Sequence, residues 1–158
     1  MESLSASFDY EWKPFMLDGK HLSFIQHVNS RLEHNRCSHW GSAIYRWEGK
    51  ISQGPHSNLI GVLIGETKDL RQRIKQYVSG TQERGNKLWR ESFLEKGDIR
   101  LYVLEFAEMV IKTEAGNKTI SSDKVLSSEN MRLVLEQLLV QKEVSNCGDT
   151  RWVVNARQ

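Results

Sequence analysis

Three side chains in this 158-residue sequence combine a reactive type with a neighbourhood that could hold it in place. Glu136 falls in an apolar run, with Leu133 and Val140 beside it at the i−3 and i+4 positions of a helix. A carboxylate against an apolar face is costly unless it pairs with an arginine, reaches solvent on its stem, or binds a cation. Arg73 is flanked in the same way by Leu70 and Tyr77. An arginine on the border of a buried stripe either solvates its head or aims a planar guanidinium into a cleft. In a cleft it matches phosphate geometry and can stabilise charge that develops during phosphoryl transfer. Tyr45 lies in the β-prone segment SAIYRW, residues 42–47, where a tyrosine either packs half-buried or presents its phenol.

The elements that must position these groups follow from periodicity. Residues 1–19 carry Phe8, Tyr10, Trp12 and Phe15 without a regular period, and they are expected to be irregular. Leu22, Ile25, Val28 and Leu32 recur at helical spacing and predict an amphipathic helix. Residues 42–47 and 59–64 (LIGVLI) predict two strands, joined by a loop through 52–58 and paired antiparallel. Thr67 is the expected cap of a helix whose inward stripe is Leu70, Ile74, Tyr77 and Val78, ended by Gly80. A shorter helix is expected over 86–94, a third strand over 99–106, and a polar surface loop over 112–124. Ser127 or Ser128 should cap a long helix running to about Lys142, followed by an extended segment at 152–155. The expected architecture is α+β: a small, mainly antiparallel three-stranded sheet flanked by helices, with an N-terminal helical extension. Residues 1–41 would form the arm and its helix, and residues 42–158 the main domain.

Composition bounds the function. The chain is 39% hydrophobic and 27% charged, as in a water-soluble globular domain. A net charge of +2 gives only a weak overall field, so any nucleic-acid contact must come from a local patch. No window is long and apolar enough to span a membrane, and the acidic, aromatic start is unlike a secretory signal, so a cytoplasmic location and no membrane partner are expected. Cys37 and Cys147 are too few for a disulfide framework and are expected to be free thiols. His34, Cys37 and His39 have irregular spacing for a zinc site and read as an ordinary loop.

Taken in order, SAIYRW, LIGETKDLRQRIKQY, RLVLEQLL and VVN resemble the GIY-YIG nuclease superfamily. Ala43-Ile44-Tyr45 stands for the first tripeptide and Leu63-Ile64-Gly65 for the second. Arg73, eight residues past Gly65, stands where the family keeps its catalytic arginine, and Tyr77 stands where members carry histidine or tyrosine. Glu136 matches the metal-binding glutamate and Asn155 the late asparagine. The sequence departs from the pattern at Ala43 and, more seriously, at Leu63, which replaces the second tyrosine.

The resemblance implies a metal-dependent endonuclease acting on DNA, like the small stand-alone restriction enzymes and phage endonucleases of that superfamily. Glu136 would hold one divalent ion per active site, Mg2+ or Mn2+. Arg73 would bind the scissile phosphate, Tyr45 would orient or deprotonate water, and Tyr77 would hydrogen-bond phosphate or water. Asn155 would brace the site. Residues 66–100 hold nine basic and six acidic side chains, and Lys68, Arg71, Lys75 and Lys87 are the expected phosphate contacts. Cutting both strands would call for a homodimer or higher homo-oligomer, with the N-terminal arm and its helix as interface or as an extension of the DNA contact. The loss of the second tyrosine leaves an alternative open: a catalytically impaired DNA-binding or interaction module on the same fold.

Overall fold

The computed structural model describes residues 1–27, 41–79 and 93–155. Its centre is the hairpin expected from SAIYRW and LIGVLI. Strand β5 (Ala43–Lys50) pairs antiparallel with β6 (Ile60–Thr67) over their whole length, so that Tyr45 lies opposite Gly65 and Trp47 opposite Leu63. Strand β7 (Arg100–Phe106) pairs with the other edge of β5. These are the three strands expected, but the sheet does not stop there. It is five-stranded, in the order β10-β6-β5-β7-β2. The C-terminal strand β10 (Arg151–Val153) lies parallel to β6, and β2 (Tyr10–Pro14) lies antiparallel to β7.

Alternate residues of this sheet face opposite cores. Tyr45, Trp47, Leu63 and Val103 pack with Leu70, Ile74 and Tyr77 of helix α2 (Leu70–Ser79). Ile44, Val62, Ile64 and Leu104 pack with Leu135, Leu139 and Val140 of the long helix α4 (Glu129–Asn146). A sheet covered on both faces explains why β6 is a continuous apolar run rather than an alternating one. Ser128 caps α4 by accepting from the Met131 N–H, and it follows directly on a short helix α3 (Ser122–Ser127).

Two expectations are corrected. The N-terminal residues are not irregular. Besides β2 they form β1 (Leu4–Ser7), β3 (Met16–Leu17) and β4 (Lys20–His21), and Phe15 and Leu17 are fully buried. The extension is therefore mostly strand. Its helix α1 is described only over Phe24–His27, with Ile25 half exposed, and residues 28–32 lie outside the described residues. The polar segment 112–124 is not a loop either. Strand β8 (Glu108–Thr113) turns into β9 (Gly116–Ser121), and with β1 they form a separate three-stranded sheet. The turn uses Gly116 at a φ of 132°, a conformation that disfavours any side chain.

The expected helix over 86–94 falls almost wholly outside the described residues, as do Gly80, His34, Cys37 and His39. Cys147 is a free, half-buried thiol. Among the described residues no helix is long and apolar enough to cross a membrane.

Candidate active site

Tyr45 is almost completely buried, with its phenol oxygen 3.0 Å from that of Tyr77, itself 2% exposed. The two rings meet edge to face, and Trp47 packs edge-on against Tyr77 as well. Gly65 makes this possible. It stands opposite Tyr45 in the ladder, and a methyl group there would overlap the Tyr45 ring and hydroxyl. The glycine of the second tripeptide is thus a seat for the tyrosine of the first.

Arg73 lies one helical turn before Tyr77 on α2. Its Nε is buried without a hydrogen-bond partner. An unpaired guanidinium nitrogen is unfavourable in a resting fold and is the kind of group an anionic ligand would satisfy. Arg73 lines a cleft of about 340 Å³ that opens where the end of β6 meets the N-terminal turns of α2 and α4. Lys68, Gln72 and Gln76 line it from the α2 side, Glu66 from β6, and Glu129 and Arg132 from α4.

The local chain explains how the cleft is built. Thr67 does not cap α2, as expected from sequence. It ends β6, and its hydroxyl accepts from the Asp69 N–H, while the Asp69 carboxylate accepts from the Gln72 N–H and so caps the helix. Asp69 has the short acidic side chain suited to that position, and Thr67 tightens the turn before it. Across the cleft, Arg132 donates from Nε to Glu66 at 2.7 Å and from Nη1 to the Leu126 carbonyl at 2.8 Å. It is 5% exposed. One buried arginine therefore ties α4, the α3–α4 junction and the end of β6 together. Sequence reading passed over Arg132 and Glu66. The signal was available in the i, i+3, i+7 spacing of Glu129, Arg132 and Glu136 along one helical stripe.

Glu136 is half-buried one turn past Arg132, but it is not among the residues lining the Arg73 cleft. Its expected apolar setting is also corrected: Leu133 is 41% exposed, and the buried stripe of α4 runs through Arg132, Leu135, Leu139 and Val140. Asn155 acts on backbone. Its side chain accepts from the Ile64 N–H and donates to the Ile64 carbonyl, each at 2.7 Å, extending the β6–β10 ladder by one more pair. Leu63, at the position of the second tyrosine, is 1% exposed in the same core as Tyr45 and Tyr77. Compared with known proteins, the chain matches no family model, no curated protein and no solved structure.

The structure thus brings Tyr45 and Tyr77 together inside the core, puts Arg73 one helical turn before Tyr77 in a cleft that neither tyrosine lines, and leaves Glu136 and Asn155 on other elements. Of the expected phosphate contacts, Lys68 lines the cleft, Arg71 and Lys75 are half-buried on α2, and Lys87 lies outside the described residues. No group of three or more acidic, histidine or cysteine side chains gathers among the described residues. Glu136 contributes one half-buried carboxylate. That fits a hard, mostly hydrated divalent ion held through a single protein ligand, and does not fit a multi-ligand protein cage.

Proposed function

We propose that the protein is a metal-dependent endonuclease that hydrolyses DNA phosphodiester bonds, built on a GIY-YIG-like arrangement. The observation that carries this reading is the Tyr45–Tyr77 hydroxyl pair seated over Gly65, with the unsatisfied guanidinium nitrogen of Arg73 one turn away.

In this reading Arg73 binds the scissile phosphate from the cleft and meets the negative charge that grows on it. Tyr77 fixes the Tyr45 phenol through their shared hydrogen bond. Tyr45 would then orient the attacking water and, only once ionised with its own proton released to solvent, accept the water's proton. A free phenol has a pKa of about 10, so this role calls for positive charge nearby, which in this reading Arg73 and the bound metal ion would supply. Glu136 would hold Mg2+ or Mn2+, which when bound supplies charge stabilisation at the leaving oxygen. Arg132 keeps α4, and so Glu136, in register with β6 through Glu66. Asn155 holds the β6 edge that carries Ile64 and Gly65. DNA is the proposed partner, reached through Lys68, Arg71 and Lys75 on the α2 side and through Lys87 beyond the described residues.

A second reading, a DNA-binding module without catalysis, is favoured by Leu63, whose side chain supplies packing where the resemblance calls for a phenol. Incubating supercoiled plasmid with the protein in magnesium, manganese or EDTA separates the two. Metal-dependent nicking or linearisation supports the nuclease. Salt-sensitive binding with no cleavage in either metal supports the binding module.

A further inference from the structure

Helices α3 and α4 mix acidic and basic residues, but every charged residue of α2 is basic: Arg71, Arg73 and Lys75. Leu70, Ile74 and Tyr77 turn into the core. Two glutamines share the remaining surface with the bases. Gln72 is exposed and Gln76, one turn on, is half-buried, and both line the cleft that holds Arg73. Among the described residues neither side-chain amide is bonded to another group. The acids nearest them are already engaged by the fold. Glu66 is held by Arg132, and the Asp69 carboxylate accepts from the Gln72 N–H.

We propose that the cleft-side face of α2 lies against the major groove of duplex DNA, where Gln72 and Gln76 read base edges and prefer adenine. The inference rests on the DNA-binding reading above and deepens it, because it says how the same site selects sequence. The major groove of B-DNA admits an α-helix, and adenine presents there an acceptor, N7, beside a donor, the N6 amino group. A glutamine amide offers the matching donor and acceptor side by side, so it pairs with that edge twice. A lysine or arginine at these positions would favour phosphate or guanine, and a carboxylate would favour cytosine. Neutral amides on an otherwise cationic helix therefore divide the work: the bases hold the backbone and the amides read the sequence. Arg73 sits between the two glutamines in the chain, so the bases they read adjoin the phosphate it binds. Four residues of helix rise about 6 Å, more than one base step of about 3.4 Å, so the two amides address different base pairs.

Selection from a randomised duplex oligonucleotide library in EDTA tests this apart from metal-dependent cleavage. Wild type is expected to enrich adenine at two positions, by about tenfold or more at each. Gln72→Ala and Gln76→Ala should each erase one of these preferences without lowering the melting temperature, since alanine is the better helix former. Gln76→Glu should move its position from adenine to cytosine, whose amino group donates to a carboxylate. Lys68→Ala should weaken binding to all sequences alike and flatten the salt dependence, as loss of a phosphate contact does. Gln137→Ala, an exposed glutamine of α4, should leave both preferences in place. A library bound with no base enriched would overturn this inference and leave the nuclease reading standing. Adenine preferences that survive both alanine variants would do the same. A wild type that retains no DNA would overturn the inference together with the reading on which it rests.

Discussion

Gly65 lies opposite Tyr45 in the β5–β6 ladder, and the Tyr45 ring crosses it so closely that no side chain fits at position 65. The two tripeptides are thus halves of one steric unit. Gly65→Ala should force the Tyr45 ring out of place and break its hydrogen bond to Tyr77. The expected cost is about 1–3 kcal/mol, typical of overpacking a filled site. Urea unfolding should read it, and plasmid cleavage should fall beyond what the stability loss explains. An alanine variant with an unchanged midpoint would argue against the seating.

Leu63 fills a closed core beside Tyr45, Trp47 and Tyr77. Leu63→Tyr, which recreates the second tyrosine of the resemblance, should therefore not raise activity. The larger ring has no space without displacing the hydroxyl pair, so a loss of about 1–3 kcal/mol and equal or lower cleavage are expected. Faster cleavage by this variant would mean that the tyrosine pair does not carry the role assigned to it.

Asn155 completes both backbone groups of Ile64. Asn155→Ala leaves an N–H and a carbonyl without their partner at the sheet edge, at a cost of about 1–3 kcal/mol. Thermal unfolding should show the loss, and specific activity measured well below the melting temperature should remain. Abolished activity in a fully folded variant would make Asn155 part of the chemistry instead.

Asp98 gives a pH dependence whose sign can be stated. Hydrogen bonds from Arg100 and from the fully buried hydroxyl of Ser23 hold its carboxyl below the usual carboxylate range. A depressed folded-state pKa contributes stability above the unfolded value of about 3.9, and that stability is lost as pH falls through the folded value. Asp98→Asn should lower the melting temperature at pH 6, and the gap to wild type should close on acidification below about pH 4. A gap that stayed constant to low pH would show that the charge contributes nothing.

Much of the main domain was legible in the sequence because its pattern is set by burial. The β5–β6 hairpin, α2, β7 and the Ser128 cap of α4 follow from apolar periods and turn residues, and each lies against a core. Strand β9 and the end of β8 were read as a loop because β9 is exposed along nearly its whole length, and period-two alternation requires one dry face. The N-terminal strands were missed for a related reason. Phe8, Tyr10 and Trp12 do alternate, but their run is too short to stand out, and its partner, β7, lies about 90 residues further along the chain. At the site, the spacing of Arg73 and Tyr77 was legible because it lies within one helix. Arg132 could have been singled out by its place on the helical stripe of Glu129 and Glu136, but its pairing with Glu66 could not, because the two residues lie 66 positions apart on different elements.

The central claim rests on Arg73 acting on phosphate and Glu136 on a metal ion. Cleavage of supercoiled plasmid in magnesium and in manganese, with wild type beside Arg73→Ala and Glu136→Gln, tests both at once, with melting temperatures as the control for folding. Wild type should cut, and Arg73→Ala should lose about 10²–10³-fold in rate, the usual effect of removing one donor to a developing oxyanion. Glu136→Gln should be inactive in both metals while still binding DNA. Full activity in either folded variant would contradict the account. No cleavage by wild type in either metal, with DNA still bound, would leave the non-catalytic binding module in its place.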